Sequence, residues 1–156
     1  MSGIAGVIRF GGQVERRELD AMLSTMTRRG PDRQTARCEG EAGFAQALLA
    51  TTREAGAEVQ PWVHPDTACM VVSDSRLDNR PQLLRDLGIS RPADDVGDGE
   101  LLHAAWQRWA EGCADRLRGD FAFAIWNPHA RELFLARDPM GVRPLAFHVD
   151  GDRMFV

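Results

Sequence analysis

Residues 120–126, Asp-Phe-Ala-Phe-Ala-Ile-Trp, constrain the fold of this chain more than any other stretch. Successive side chains of an extended strand point to opposite faces. Phe121, Phe123 and Ile125 therefore share one face, while Ala122, Ala124 and Trp126 share the other. Both faces are apolar, and a strand apolar on both faces needs a covering layer on each. The remaining apolar runs supply those layers. Strands are predicted over 4–9, 42–50, 68–73, 120–126, 132–137, 145–149 and 153–156. Leu19, Met22, Leu23 and Met26 recur at helical spacing between about 15 and 28, and Leu101, Leu102, Ala105 and Trp109 do so over about 99–111. Strands gathered toward both ends of the chain, with two substantial helices between them, predict sheets packed face to face with helices outside: an α+β sandwich.

Punctuation between these elements follows Gly and Pro. Phe10-Gly11-Gly12 ends the first strand, and Gly30-Pro31 stops the first helix. Residues 53–67 read as loop, Pro81–Leu87 as a short helix with proline in its first turn, and 88–97 as loop. Asp98 is placed to cap the helix that follows. Turns are expected at Asn127-Pro128, Pro139–Gly141 and Asp150-Gly151. Trp62, Trp106, Trp109 and Trp126 read as core or domain-interface side chains. The last strand is still running at Met154-Phe155-Val156, so the chain reads as a fragment of something longer.

With 156 residues the chain fits one domain. Nineteen Lys and Arg against 23 Asp and Glu give a net charge of -4, which argues against nucleic acid or an anionic membrane surface as partner. No run reaches the roughly 18 apolar residues of a membrane span, and no signal-peptide pattern opens the chain. A cytoplasmic protein is expected. Cys38, Cys69 and Cys113 are odd in number and widely spaced, as idle thiols of a reducing compartment are. His64, His103, His129 and His148 are equally dispersed, so no metal is assigned. The acids Asp94, Asp95, Asp98 and Glu100 read as a solvated loop rather than a cation site.

The amino terminus places a hydroxyl residue directly behind the initiator, in Met1-Ser2-Gly3-Ile4-Ala5-Gly6-Val7. Removal of Met1 gives Ser2 both an oxygen nucleophile and a free α-amine. The amine, with an ordinary pKa of roughly 7.7 to 8.0, can act as base toward its own side chain. A small second residue that simply permits processing explains the same sequence.

Five motifs extend this start in register: Ser2-Gly3-Ile4-Ala5-Gly6; Arg29-Gly30-Pro31-Asp32; Gly97-Asp98-Gly99-Glu100; Leu117-Arg118-Gly119-Asp120-Phe121-Ala122-Phe123-Ala124; and Arg137-Asp138-Pro139-Met140-Gly141-Val142-Arg143-Pro144-Leu145. Together they resemble the N-terminal glutamine amidotransferase domain of asparagine synthetase and its relatives. The resemblance implies a four-layer αββα Ntn-hydrolase fold over residues 1–156. It also implies a C-terminal ATP-dependent synthetase domain outside this chain as partner, where ATP and Mg would bind; no cofactor is implied for the domain itself.

Active members of that family carry a cysteine at the second position, which attacks the glutamine side-chain amide. An arginine grips the substrate carboxylate, an Asn-Gly pair supplies the oxyanion hole, and an aspartate holds the substrate amine. Here those positions fall on Ser2, Leu48, Asp74-Ser75 and Asp98, and only Asp98 matches. Each departure has a cost. A hydroxyl is far less ionised than a thiol and depends wholly on its base. Leu48 cannot pair with a carboxylate, and a carboxylate at Asp74 repels the developing oxyanion, where losing one donor alone costs about 100-fold or more in rate. Arg29, Gly30, Asp32, Arg137 and Asp138 read as structural turn residues bracing the cavity and the second domain.

The pattern of losses looks like the asparagine-synthetase-like cyclases that close the isopeptide ring of lasso peptides, and β-lactam synthetases share the logic. Such enzymes take their amine from the substrate and need no ammonia. The implied partners are a precursor peptide and leader-processing proteins. The alternatives are a glutamine-hydrolysing asparagine synthetase with serine as nucleophile and a stand-alone binding module.

Overall fold

A computed structural model describes residues 1–52, 55 and 58–156. In chain order the elements are β1 (Gly3–Arg9), α1 (Arg16–Met26), β2 (Arg33–Glu39), β3 (Ala42–Leu48), β4 (Trp62–Val63), β5 (Met70–Leu77), α2 (Arg80–Leu87), a 3-10 turn (Ala93–Asp95), α3 (Asp98–Trp109), a second 3-10 segment (Ala110–Arg116), β6 (Gly119–Asn127), β7 (Glu132–Arg137), β8 (His148–Asp150) and β9 (Arg153–Phe155).

The strands form two antiparallel sheets, ordered β2-β3-β1-β9-β8 and β4-β5-β6-β7. β6 behaves as its sequence requires. Phe121, Phe123 and Ile125 enter a core shared with Leu101, Leu102 and Ala105 of α3 and Leu83 and Leu84 of α2. Ala124 and Trp126, on the other face, meet Ile8, Phe44, Met70 and Val72 between the sheets. A third cluster joins Leu19 and Leu23 of α1 to Ala5, Val7, Ala45 and Ala47 on the outside of the first sheet. Helix, sheet, sheet and helix pair thus stack in four layers, each interface filled by apolar side chains removed from water.

Four differences from the sequence reading have physical causes. β2 was not foreseen, because Arg-Gln-Thr-Ala-Arg-Cys-Glu lacks an apolar alternation; it is an edge strand specified by seven paired positions with β3. The stretch 53–67 contains β4, where Trp62 pairs Val71 and Val63 pairs Met70; residues 53–54 and 56–57 of that predicted loop lie outside the described residues. The strand expected over 145–149 is shortened to β8, since the chain before it is committed to a turn organised by Asp138. Asp98 does not cap α3: Gly97 holds that position and Asp98 is the first helical residue, buried rather than solvated.

Trp126 is fully within the core, while Trp62, Trp106 and Trp109 are half-buried against the α2–α3 cluster. His103 of α3 sits among them, its ring 4.6 Å from that of His64 and 5.3 Å from that of Trp62. Its Nε2 is buried and has no hydrogen-bond partner among the described residues. Burial, reinforced by His64, pushes the His103 imidazole down to about 4. No helix among the described residues is long and apolar enough to cross a membrane.

Candidate functional site

Ser2 lies buried at the entry to β1, the central strand of the first sheet. Two neighbouring segments fix it. The Leu49 N–H donates to Ser2 Oγ at 3.0 Å. Arg29 Nε donates to the Ser2 carbonyl at 3.2 Å. The segment that carries Arg29 lies tight against β3: a Cβ on Gly30 would fall 1.9 Å from the Ala47 carbonyl carbon, so only glycine permits the approach. Asp32 completes the fastening, its N–H donating to the Leu48 carbonyl at 3.0 Å and its carboxylate accepting from the Ala50 N–H at 2.8 Å. Arg29, Gly30 and Asp32 thereby hold Leu48–Ala50 across the amino terminus.

Opposite Ser2, β5 presents Asp74 and Ser75, set in register against Ala122 and Phe121 of β6. Asp74 is buried and faces Arg143, whose Nη1 lies 3.4 Å from Oδ2. Burial pushes the Asp74 carboxyl above its ordinary range; Arg143, the terminal amino group, Arg29 and the Ser2 N–H all pull against that rise. Ser75 does not face a free space: its hydroxyl donates to Asp98 Oδ2 at 2.6 Å. The other oxygen of Asp98 pairs with Nη1 of buried Arg80, whose Nη2 bonds the Val96 carbonyl.

Asp138 fixes the position of Arg143. Its carboxylate accepts the N–H groups of Val142 at 2.9 Å and Arg143 at 3.0 Å, and these bonds hold its carboxyl below the ordinary range. Arg137, next to it, is exposed and stands away from the site. Ser2, Gln46, Leu48, Glu58, Asp74 and Arg143 are among the walls of one cavity of about 90 Å³. A second cleft, of about 120 Å³, lies behind Ser2 and Asp74 against Arg29 and Pro144.

Ser2, the second residue, is thus buried on the wall of a polar cavity that Asp74 of β5 also lines. Residues 1–156 match the family described as glutamine amidotransferase domain. This chain belongs to that family. Asparagine synthetase [glutamine-hydrolyzing] 3 of Bacillus subtilis is 30% identical over 155 residues, which are 97% of this chain and 25% of the relative. A putative asparagine synthetase [glutamine-hydrolyzing] of Mycobacterium tuberculosis is 53% identical over 49 residues, 31% of this chain and 8% of the relative. Glutamine phosphoribosylpyrophosphate amidotransferase of B. subtilis, solved with ADP and GMP, shares the fold at a TM-score of 0.69 and 19% identity, over 99% of this chain and 41% of that one. The chain spans about a quarter of the length of the full-coverage asparagine synthetase relatives. It is an asparagine-synthetase-like glutamine amidotransferase domain with the Ntn-type sandwich.

Within this amidotransferase domain several site residues were not singled out from the sequence. Glu58 reaches the start of α3, where its carboxylate accepts the Gly99 N–H at 2.9 Å and the Glu100 N–H at 3.3 Å. Burial nevertheless pushes its carboxyl above the ordinary range. Gln60 donates to Glu58 at 2.8 Å and accepts from the Ser73 N–H at 2.6 Å. Gln46 crosses from β3 to β5, donating to the Ser73 carbonyl at 2.8 Å. Arg143 stood inside a motif already noted and Arg80 did not, and only the folded chain shows which carboxylate each meets. Among the described residues no group of three or more His, Cys, Asp or Glu is placed to hold a metal ion.

Chemically, the cavity offers no cation at Leu48, a carboxylate at Asp74, and an Asp98 whose two oxygens are already bonded within the protein.

Proposed function

We propose that this amidotransferase domain does not hydrolyse glutamine and serves as the scaffold of an ATP-dependent amide-forming enzyme, a macrocyclase of the kind that closes lasso peptides. The observation that carries the reading is the set of internal bonds at the substrate-binding positions. Asp98, the position that would hold a substrate amine, already accepts from Ser75 at one oxygen and from Arg80 at the other. Asp74, the position of the oxyanion donor, is a carboxylate paired with Arg143. An oxyanion forming beside it meets negative charge where a donor is needed. Leu48 supplies none of the charge-assisted pairing that an arginine at that position would give a substrate carboxylate.

An enzyme that joins an activated side-chain carboxylate to a peptide α-amine needs no ammonia. Loss of glutamine hydrolysis is then without penalty, and the domain persists for the surface it gives the synthetase domain, with ATP and Mg bound there. A precursor peptide and its leader-processing proteins are the partners of this reading. The second reading, glutamine hydrolysis by Ser2, is favoured by the family match over residues 1–156 and by the seat of Ser2 on the cavity wall.

The parent enzyme separates the two. Supplied with ATP, Mg, a peptide carrying a free α-amine and an internal Asp or Glu, and glutamine labelled with nitrogen-15 in its amide, a cyclase converts the peptide with loss of one water and no label. Incorporation of the label establishes glutamine hydrolysis and overturns the proposal.

A further inference from the structure

Asp74 and Ser2 line the same cavity and the same cleft behind it, and the Ser2 N–H and the terminal amino group both favour the charged form of the Asp74 carboxylate. The Ser2 nitrogen is now a peptide nitrogen carrying Met1, which is half-exposed at the cavity mouth. Removal of Met1 converts it to a primary amine without freeing it to move. Ser2 stays fastened by Leu49 at its hydroxyl, by Arg29 at its carbonyl, and by the pairing of Gly3 with Ala47 immediately after it.

We propose that, once Met1 is removed, Asp74 holds the Ser2 α-amine as a buried ammonium and so withdraws the base on which a hydroxyl nucleophile at this terminus depends. An opposite charge in contact favours the protonated form of an amine. An amine must be unprotonated to accept the hydroxyl proton. The charged groups facing this point are Asp74 from β5, Arg29 from the segment after α1, and Arg143 from the turn before β8; Glu58 and Asp98 lie farther around the cavity. Arg29 is committed to the Ser2 carbonyl, and Arg143 touches Asp74 only at 3.4 Å, so neither guanidinium consumes the carboxylate. Among the described residues the buried Arg143 Nε has no hydrogen-bond partner. One side chain thus removes two parts of the hydrolytic machinery, the oxyanion donor and the base. The idea deepens the reading of the domain as silent.

The test is an NMR titration of the Ser2 Cα resonance in chain freed of Met1 by methionine aminopeptidase and checked by intact mass. The expected pKa lies at least about one unit above the ordinary 7.7–8.0 of an α-amine. Asp74→Asn lowers it by at least about one unit, a tenfold rise in the acid dissociation constant, whereas Arg143→Ala, which removes the competing partner, raises it. A wild-type value in or below the ordinary range overturns the proposal, as does a folded Asp74→Asn with an unchanged value. Should Asp74→Asn not fold, Arg143→Ala decides: a rise supports the ion pair, and no change or a fall overturns it. Glutamate release is assayed on the same samples. A raised pKa with glutamate release contradicts the silent reading and leaves the ion pair standing; an ordinary pKa without release does the reverse.

Discussion

The Ser75 hydroxyl and the Asp98 carboxylate, 23 residues apart in the chain, meet at 2.6 Å, and Arg80 takes the remaining carboxylate oxygen. Both oxygens of the buried Asp98 carboxylate are thus engaged within the fold of this domain.

Removing that carboxylate strands a buried guanidinium. Asp98→Ala is expected to destabilise the domain by about 3–5 kcal/mol, while Asp98→Leu combined with Arg80→Met costs far less, because the pair and its desolvation vanish together. Urea unfolding midpoints check both. A loss below about 1 kcal/mol for Asp98→Ala would show that Arg80 is solvated.

Gly30→Ala tests the fastening of the amino terminus. Its Cβ would lie 2.0 Å from the Ala47 oxygen and 2.4 Å from the Leu48 nitrogen, so backbone must shift. A loss of at least about 2 kcal/mol is expected, with the Ser2 amide resonance displaced. Unchanged stability would mean that the segment after α1 is held less closely than the structure has it.

Much of the architecture was legible in the sequence because it rests on pattern. The two apolar faces of β6 required a layer on each side, and the structure supplies α2 and α3 on one and the first sheet on the other. β2 was not legible: its alternation is polar, and its pairing with β3 decides its state. The site was legible only where a motif names a position. Ser2, Leu48, Asp74 and Asp98 all line the cavity, yet nothing local to Glu58 announces that it will meet Gly99, 41 residues on. Asp98 was misjudged for the same reason. Its neighbours Asp94, Asp95 and Glu100 suggest a wet acidic loop, and the partner that buries it, Arg80, comes from another helix.

Acid should loosen the packing of α3 through His103. Its pKa falls from 6.5 to about 4 on folding, so the unfolded chain binds the extra proton first. The stability it contributes is complete above pH 6.5 and is lost as pH falls toward about 4. Relative to His103→Phe, which keeps a ring but cannot titrate, the wild type should lose on the order of 2–3 kcal/mol across that window. Parallel stability curves for the two proteins would contradict this.

Glu58 works in the opposite direction. Burial raises its carboxyl, so the folded state binds the proton more tightly; its stabilising share is present below the ordinary carboxyl range and declines as pH rises through the raised value. Glu58→Gln keeps an acceptor for the Gly99 N–H and removes the charge. Thermal unfolding from pH 4 to 8 should show a flatter profile for the variant, with its advantage greatest at high pH. A profile as steep as the wild type's would place the dependence elsewhere.

The most direct test of the domain's silence is glutamate release from glutamine by chain freed of Met1, measured beside Ser2→Ala and Ser2→Cys. With Leu48 and Asp74 in place, all three should release glutamate at the same background rate, since a better nucleophile cannot replace the missing grip and donor. Turnover by the wild type well above Ser2→Ala, or appreciable turnover gained from Ser2→Cys alone, would contradict the account.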